Sequence, residues 1–135
     1  MISRPSMDEW LMGMAEQVAL RSSWPGTKVG CVAARDGRIF STGYNGTPRG
    51  WKNEVTKEEK VLICHAEENT IVNAARYGIS LEGCTFYMTL SPCVPCFRML
   101  VNVGTNSIVY KTLWEGHDPV INEMAIGLAV DFKPL

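Results

Sequence analysis

The apolar positions along this chain switch between a helical period and strand-like runs, and the switches mark its elements. Trp10, Leu11, Met14, Ala15 and Val18 recur at three- and four-residue spacing, which predicts an amphipathic helix over 7–22. Ser6 and Glu9 form an S-x-x-E capping box at its start, and Pro25-Gly26 break it. Its methionines, Met7, Met12 and Met14, read as core. Residues 29–35 and 39–44 are short apolar runs separated by Asp36-Gly37, a hairpin turn. A polar, turn-rich stretch follows, ending in a charged run over 57–60 that reads as a solvated loop. The helical period returns over 65–77 and stops at Gly78. Strand over 85–89, helix over roughly 93–103 and strand over 107–111 come next. Asp118-Pro119 supplies a cap and a first-turn proline for a helix reaching Gly127, and 130–132 closes as a strand. This order predicts an α/β fold with helices packed on a mixed sheet.

Composition narrows the class. The 135 residues suit a single domain over 1–135, and 46% apolar with 20% charged residues is globular usage. A formal net charge of -1 argues against a partner that is a nucleic acid polymer, which calls for a clustered basic excess. No run of roughly 18 apolar residues suggests a membrane span. The first ten residues lack the layout of a secretory signal, so a cytoplasmic location is expected. Five cysteines, two of them in C-x-x-C spacing, favour reduced thiols and a metal site over a disulfide framework.

Cys93 and Cys96 stand at a predicted helix start, where both thiols can point one way and the helix dipole favours thiolate. Pro95 falls in the first turn, where a missing N–H costs little. His65 opens the preceding helix, so two helix starts side by side present three ligands, one short of a closed tetrahedron. Glu67 is too close to His65 to be a comfortable second ligand but can lie over the open position and move protons. A lone C-x-x-C would read equally as a redox motif or half of a structural zinc site. A structural site needs a fourth ligand, and Cys31, Cys64, Cys84 and His117 have no paired spacing. Cys31 and Cys84 read as small buried residues, Cys64 as packing and His117 as a solvated loop histidine.

His65-Ala66-Glu67 followed by Pro92-Cys93-Val94-Pro95-Cys96 is the H-x-E…P-C-x-x-C pattern of zinc deaminases. With it, the chain resembles the cytidine deaminase superfamily. The loop Gly43-Tyr44-Asn45-Gly46-Thr47-Pro48-Arg49-Gly50, with Arg21-Ser22 and Val29-Gly30, looks like the deoxycytidylate (dCMP) deaminases within it. The resemblance implies a three-layer αβα sandwich around a mixed five-stranded sheet. It implies zinc on His65, Cys93 and Cys96, with Glu67 carrying protons from water to N3 and the leaving amino group, turning dCMP into dUMP and ammonia. By the same resemblance, the Ala66 N–H holds the base carbonyl and the carbonyl near Ser91 accepts from the amino group. Asn45 contacts the sugar and Trp114 the substrate. Arg21, Lys28 and Arg49 are candidates for the phosphate.

Relatives of this kind are homohexamers activated by dCTP and inhibited by dTTP with Mg²⁺, and residues 43–50 are the expected effector platform. The short stretch before His65 lacks the ligands from which some viral members build a second zinc, so one zinc per subunit is expected. Two competing readings stay open. One is a superfamily deaminase acting on free cytidine, deoxycytidine or tRNA adenosine. The other is a non-catalytic binding module stabilised by zinc.

Overall fold

The structure, a computed structural model, describes residues 3–135. Helix α1 (Met7–Ala19) starts at its capping box. Ser6 Oγ accepts from the Glu9 N–H at 3.1 Å, and the Glu9 carboxylate accepts from the Ser6 N–H at 2.9 Å. The helix stops short of the expected residue 22. The N–H groups of Leu20, Arg21 and Ser22 bond the carbonyls three residues back, which tightens the last turn. That turn brings the buried Ser22 inward, where its hydroxyl donates to the Asn45 carbonyl at 2.7 Å.

Strands β1 (Gly30–Arg35) and β2 (Arg38–Tyr44) form the expected hairpin, with Asp36 and Gly37 at φ of 55° and 72°. With β3 (Thr85–Leu90), β4 (Ser107–Thr112) and β5 (Asp131–Pro134) they make one sheet, ordered β2-β1-β3-β4-β5. Strand β1 runs antiparallel to β2 and β3, whereas β3, β4 and β5 are mutually parallel, so the sheet is mixed.

Side-chain alternation along the strands sorts the two faces. Val32, Ala34, Tyr87 and Val109 pack against Leu11, Met12 and Ala15 of α1. Cys31, Ala33, Phe86, Met88 and Ile108 face the other way, onto α2 (Ala66–Arg76), α3 (Val94–Asn102) and α4 (Val120–Gly127). The result is the three-layer sandwich. Met12 joins the core as expected, but Met7 and Met14 do not, being 51% and 38% exposed. They share the solvent side of α1 with Trp10, at positions i, i+3 and i+7.

The charged run before His65 is also not the loop its composition suggests. Residues Lys57–Leu62 form a short 3-10 helix, capped where the Glu59 carboxylate accepts from the Thr56 N–H at 3.1 Å. His117 is half-buried rather than solvated. Its ring stacks on Phe132 at 5.9 Å between centroids, and Nε2 lies 2.5 Å from Asn122 Oδ1. No helix among the described residues is long and apolar enough to cross a membrane.

Helix α2 is held against β2 by side chains that reach backbone. Ser41 donates to the Thr70 carbonyl at 2.7 Å, Asn73 to Thr42 at 2.9 Å and Asn69 to Tyr44 at 2.8 Å. Gly43 lets the strand come this close. A Cβ there would fall 2.4 Å from the Thr70 nitrogen and 2.5 Å from the Ala66 carbonyl oxygen. Gly43→Ala therefore has to displace the first turns of α2, at an expected cost of about 1–3 kcal/mol or more. Thermal unfolding should show a Tm lower by roughly 5–15 °C, and an unchanged Tm would contradict this close approach.

Candidate active site

His65 and Cys93 occupy the N-cap positions of α2 and α3, and Cys96 lies in the first turn of α3. Both helices start at one end of the sheet, beside the carboxyl ends of parallel β3 and β4, where open α/β sheets place their sites. His65 Nδ1 lies 3.3 Å from Cys96 Sγ and 3.5 Å from Cys93 Sγ, and the three donor atoms all fall within 4.8 Å of one another. A tetrahedral zinc with ordinary Zn–S and Zn–N bonds requires N···S separations of about 3.5 Å. One imidazole and two thiols are also the donor set zinc favours, so zinc fits this site. Among the described residues no other group of three His, Cys, Asp or Glu side chains converges this way.

The protonation pattern follows from the geometry. A hydrogen bond shared with Cys96 holds the Cys93 thiol down to about 4, and the neighbouring His65 adds to this. Cys96 is pushed up as the proton-bearing partner of that pair, with burial adding to the effect. A cation held here would displace that remaining proton, because a coordinating thiol is deprotonated outright. The Cys31 and Cys84 side chains are fully buried, as expected of small core residues.

Glu67 is the second residue of α2 and is only 4% exposed, yet its side chain lines the same cleft as His65 and Cys93. Burial dominates its titration and pushes it up to about 7, against smaller lowering effects from the backbone and His65. A carboxyl group balanced in this way can take or give a proton near neutral pH. The Glu68 carboxylate accepts from the His65 N–H at 3.0 Å and faces away from this role, helping to fix the start of α2.

The cleft has a volume of about 750 Å³, within the range of small-molecule sites. Asn45, Ala66, Ser91 and Trp114, which the resemblance suggests as substrate contacts, all line it. Asn45 is buried, its Oδ1 accepting from the Val29 N–H at 2.9 Å and its Nδ2 donating to the Thr27 carbonyl at 3.0 Å. One amide hydrogen and one lone pair remain available to a ligand. Ser91 Oγ accepts from the Trp114 N–H at 2.8 Å, which fixes the segment after β4. The Trp114 ring, in a residue 39% exposed, folds back over Gly116, where any Cβ would fall 2.6 Å from the ring. A second cleft of about 690 Å³, beside Arg4, Met7, Trp10 and Gly37, has no His, Cys or carboxylate among the described residues that line it.

Arg21, Lys28 and Arg49 are exposed and do not line the cleft. Its lysines are instead Lys57 and Lys60, from the 3-10 helix; the only hint of them in sequence is three-residue spacing just ahead of His65. Trp24, Thr27, Ile63, Leu113 and Glu115 also line it, and no motif in the sequence points to them. The glycine-rich loop divides. Gly43 is inside β2 against α2, Asn45 belongs to the cleft, and Gly46 exchanges backbone hydrogen bonds of 3.1 and 2.8 Å with Cys64, next to His65. Pro48, Arg49 and Gly50 are exposed.

Comparison with known proteins agrees with this geometry. Residues 5–112 match the model for the cytidine and deoxycytidylate deaminase zinc-binding region. A deoxycytidylate deaminase of Mycobacterium phage D29 is 32% identical over 126 residues, covering 81% of this chain and 97% of the phage protein. One from Schizosaccharomyces pombe is 36% identical over 123 residues, and there the match covers 81% of this chain but only 38% of the yeast protein. The crystal structure of dCMP deaminase from the cyanophage S-TIM5, in complex with dCMP and dUMP, superposes with a TM-score of 0.88 at 28% identity. That superposition covers 99% of this chain and 100% of the other. The H-x-E and P-C-x-x-C segments, the convergence of their side chains and the matched span lead to one assignment: this chain belongs to the cytidine and deoxycytidylate deaminase zinc-binding family.

Proposed function

We propose that this chain hydrolyses dCMP to dUMP and ammonia. The observation that carries the reading is Glu67, a buried carboxyl group that lines the same cleft as His65 and Cys93 and lies against Cys96, the third member of the cluster. A zinc-stabilised binding module would have no need to bury a carboxyl group there. Zinc held by these three residues supplies a Lewis acid that makes water a nucleophile near neutral pH. Glu67 takes one proton of the attacking water and passes it to N3 of the base, then moves the second, from the hydroxyl now on C4, to the amino group. The C4–O bond forms, the C4–N bond breaks and ammonia leaves. The Ala66 N–H orients the base carbonyl, a carbonyl near Ser91 accepts from the amino group, Asn45 holds the sugar hydroxyl and Trp114 covers the base.

The family resemblance extends this reading to a cytoplasmic homohexamer with one zinc per subunit, activated by dCTP and inhibited by dTTP with Mg²⁺. Gly43 and Asn45 are already committed to packing and to the cleft, so the part of the loop open to an effector is Thr47 to Gly50. Saturation curves for dCMP, deoxycytidine and dCTP, with and without dCTP and dTTP as effectors, test the reading. We expect dCMP to exceed deoxycytidine in kcat/KM by about 10–100-fold, the worth of charge-assisted phosphate contacts. Deoxycytidine turned over as well as dCMP would overturn the nucleotide reading.

A further inference from the structure

We propose that Lys57 and Lys60, on the 3-10 helix that precedes His65, receive the substrate phosphate and set the preference for a nucleotide over a nucleoside. This rests on the deoxycytidylate reading of the cleft and deepens it. The charged side chains lining the cleft, apart from the metal-site residues, are Lys57, Lys60, Glu67 and Glu115. Glu67 is buried beside the zinc ligands, and Glu115 would repel a phosphate dianion. The anion is therefore drawn to the lysines. The basic residues that sequence alone suggests, Arg21, Lys28 and Arg49, lie outside the lining.

The two lysines reach the cleft from a short helix that is kinked between them, at Glu59 (φ -92°, ψ 25°), and both line the cleft. Their acidic neighbour Glu59 is engaged elsewhere. It accepts from the Thr56 N–H at 3.1 Å and pairs with Lys52 at 3.4 Å, leaving the cleft side of the helix to the cations. Among the described residues neither Lys57 nor Lys60 is in an ion pair. The helix is also tied to the metal site. Ile63 donates to the Lys60 carbonyl at 3.1 Å, and the two-way pairing of Cys64 with Gly46 follows directly. An ammonium on a flexible stem is a usual phosphate partner, acting as a point charge rather than a fixed fork.

The test is steady-state kinetics of Lys57→Gln, Lys60→Gln, the double Gln variant and the double Arg variant, each loaded with zinc. Each single variant should raise KM for dCMP by about 3–10-fold and the double Gln variant by about 10–100-fold, with kcat within about threefold. The double Arg variant should restore most of the loss. Inorganic phosphate should compete with dCMP on the unaltered protein and compete less well on the double Gln variant. A double Gln variant whose KM stays within twofold, or whose kcat falls while KM does not move, would overturn the assignment. Failure of the underlying reading looks different, because it appears in the unaltered protein as equal turnover of deoxycytidine and dCMP. A strong dCMP preference that survives the double Gln change rejects the lysines alone.

Discussion

Glu67→Gln is expected to lower kcat for dCMP by about 10²–10⁴-fold while the protein keeps its zinc. Gln has the shape of Glu and fills the same 4%-exposed position, so packing at the start of α2 should survive. What it lacks is a site for the transferred proton. Burial holds the Glu67 carboxyl up to about 7, which suits a group that must accept a proton from water and release it within one turnover. The Gln side chain can do neither. Metal content and kcat measured on the same sample separate the outcomes. A zinc-loaded variant that keeps activity within tenfold of the parent would remove Glu67 from the proton path.

The second large effect is loss of the metal. Zinc held by His65, the N-cap of α2, and by Cys93 and Cys96, the N-cap and first turn of α3, would tie the two helix starts together. It therefore acts on packing as well as on chemistry. Removing it should abolish deamination and lower Tm by roughly 10 °C, as expected for a ligand that binds only the folded chain well above its dissociation constant. Adding zinc back should restore both. Cys96→Ser should show the same losses without recovery, because a hydroxyl is a poor substitute for the buried thiolate. A chelated protein with full activity would contradict the metal assignment.

Much of the fold and of the site is legible in the amino-acid sequence, for identifiable physical reasons. Ser6 with Glu9, Asp36 with Gly37, and His65 at the start of α2 are local signals whose physics operates within a few residues. The H-x-E and C-x-x-C spacings also fix which side chains emerge from a helix start, and the structure brings all four together. Other features depend on what packs where. The order β2-β1-β3-β4-β5 places the hairpin beside β3, a long-range choice that no single segment specifies. Met7 and Met14 have the same composition as Met12, and only the direction in which α1 meets the sheet separates them. Lys57 and Lys60 escape a sequence reading because a charged run reads as solvent-facing until its helix is seen against a cleft. Gly43 reads as part of a phosphate-cradling loop, whereas its missing Cβ makes room for α2.

Titrating zinc into metal-free protein while following ammonia released from dCMP puts deamination at the His65, Cys93 and Cys96 site to the test. Without metal no ammonia is expected; with it, ammonia should equal the dUMP formed, and the rate should climb linearly and level off at one zinc per chain. Zinc taken up to that ratio with dCMP left unchanged would refute deamination at this site.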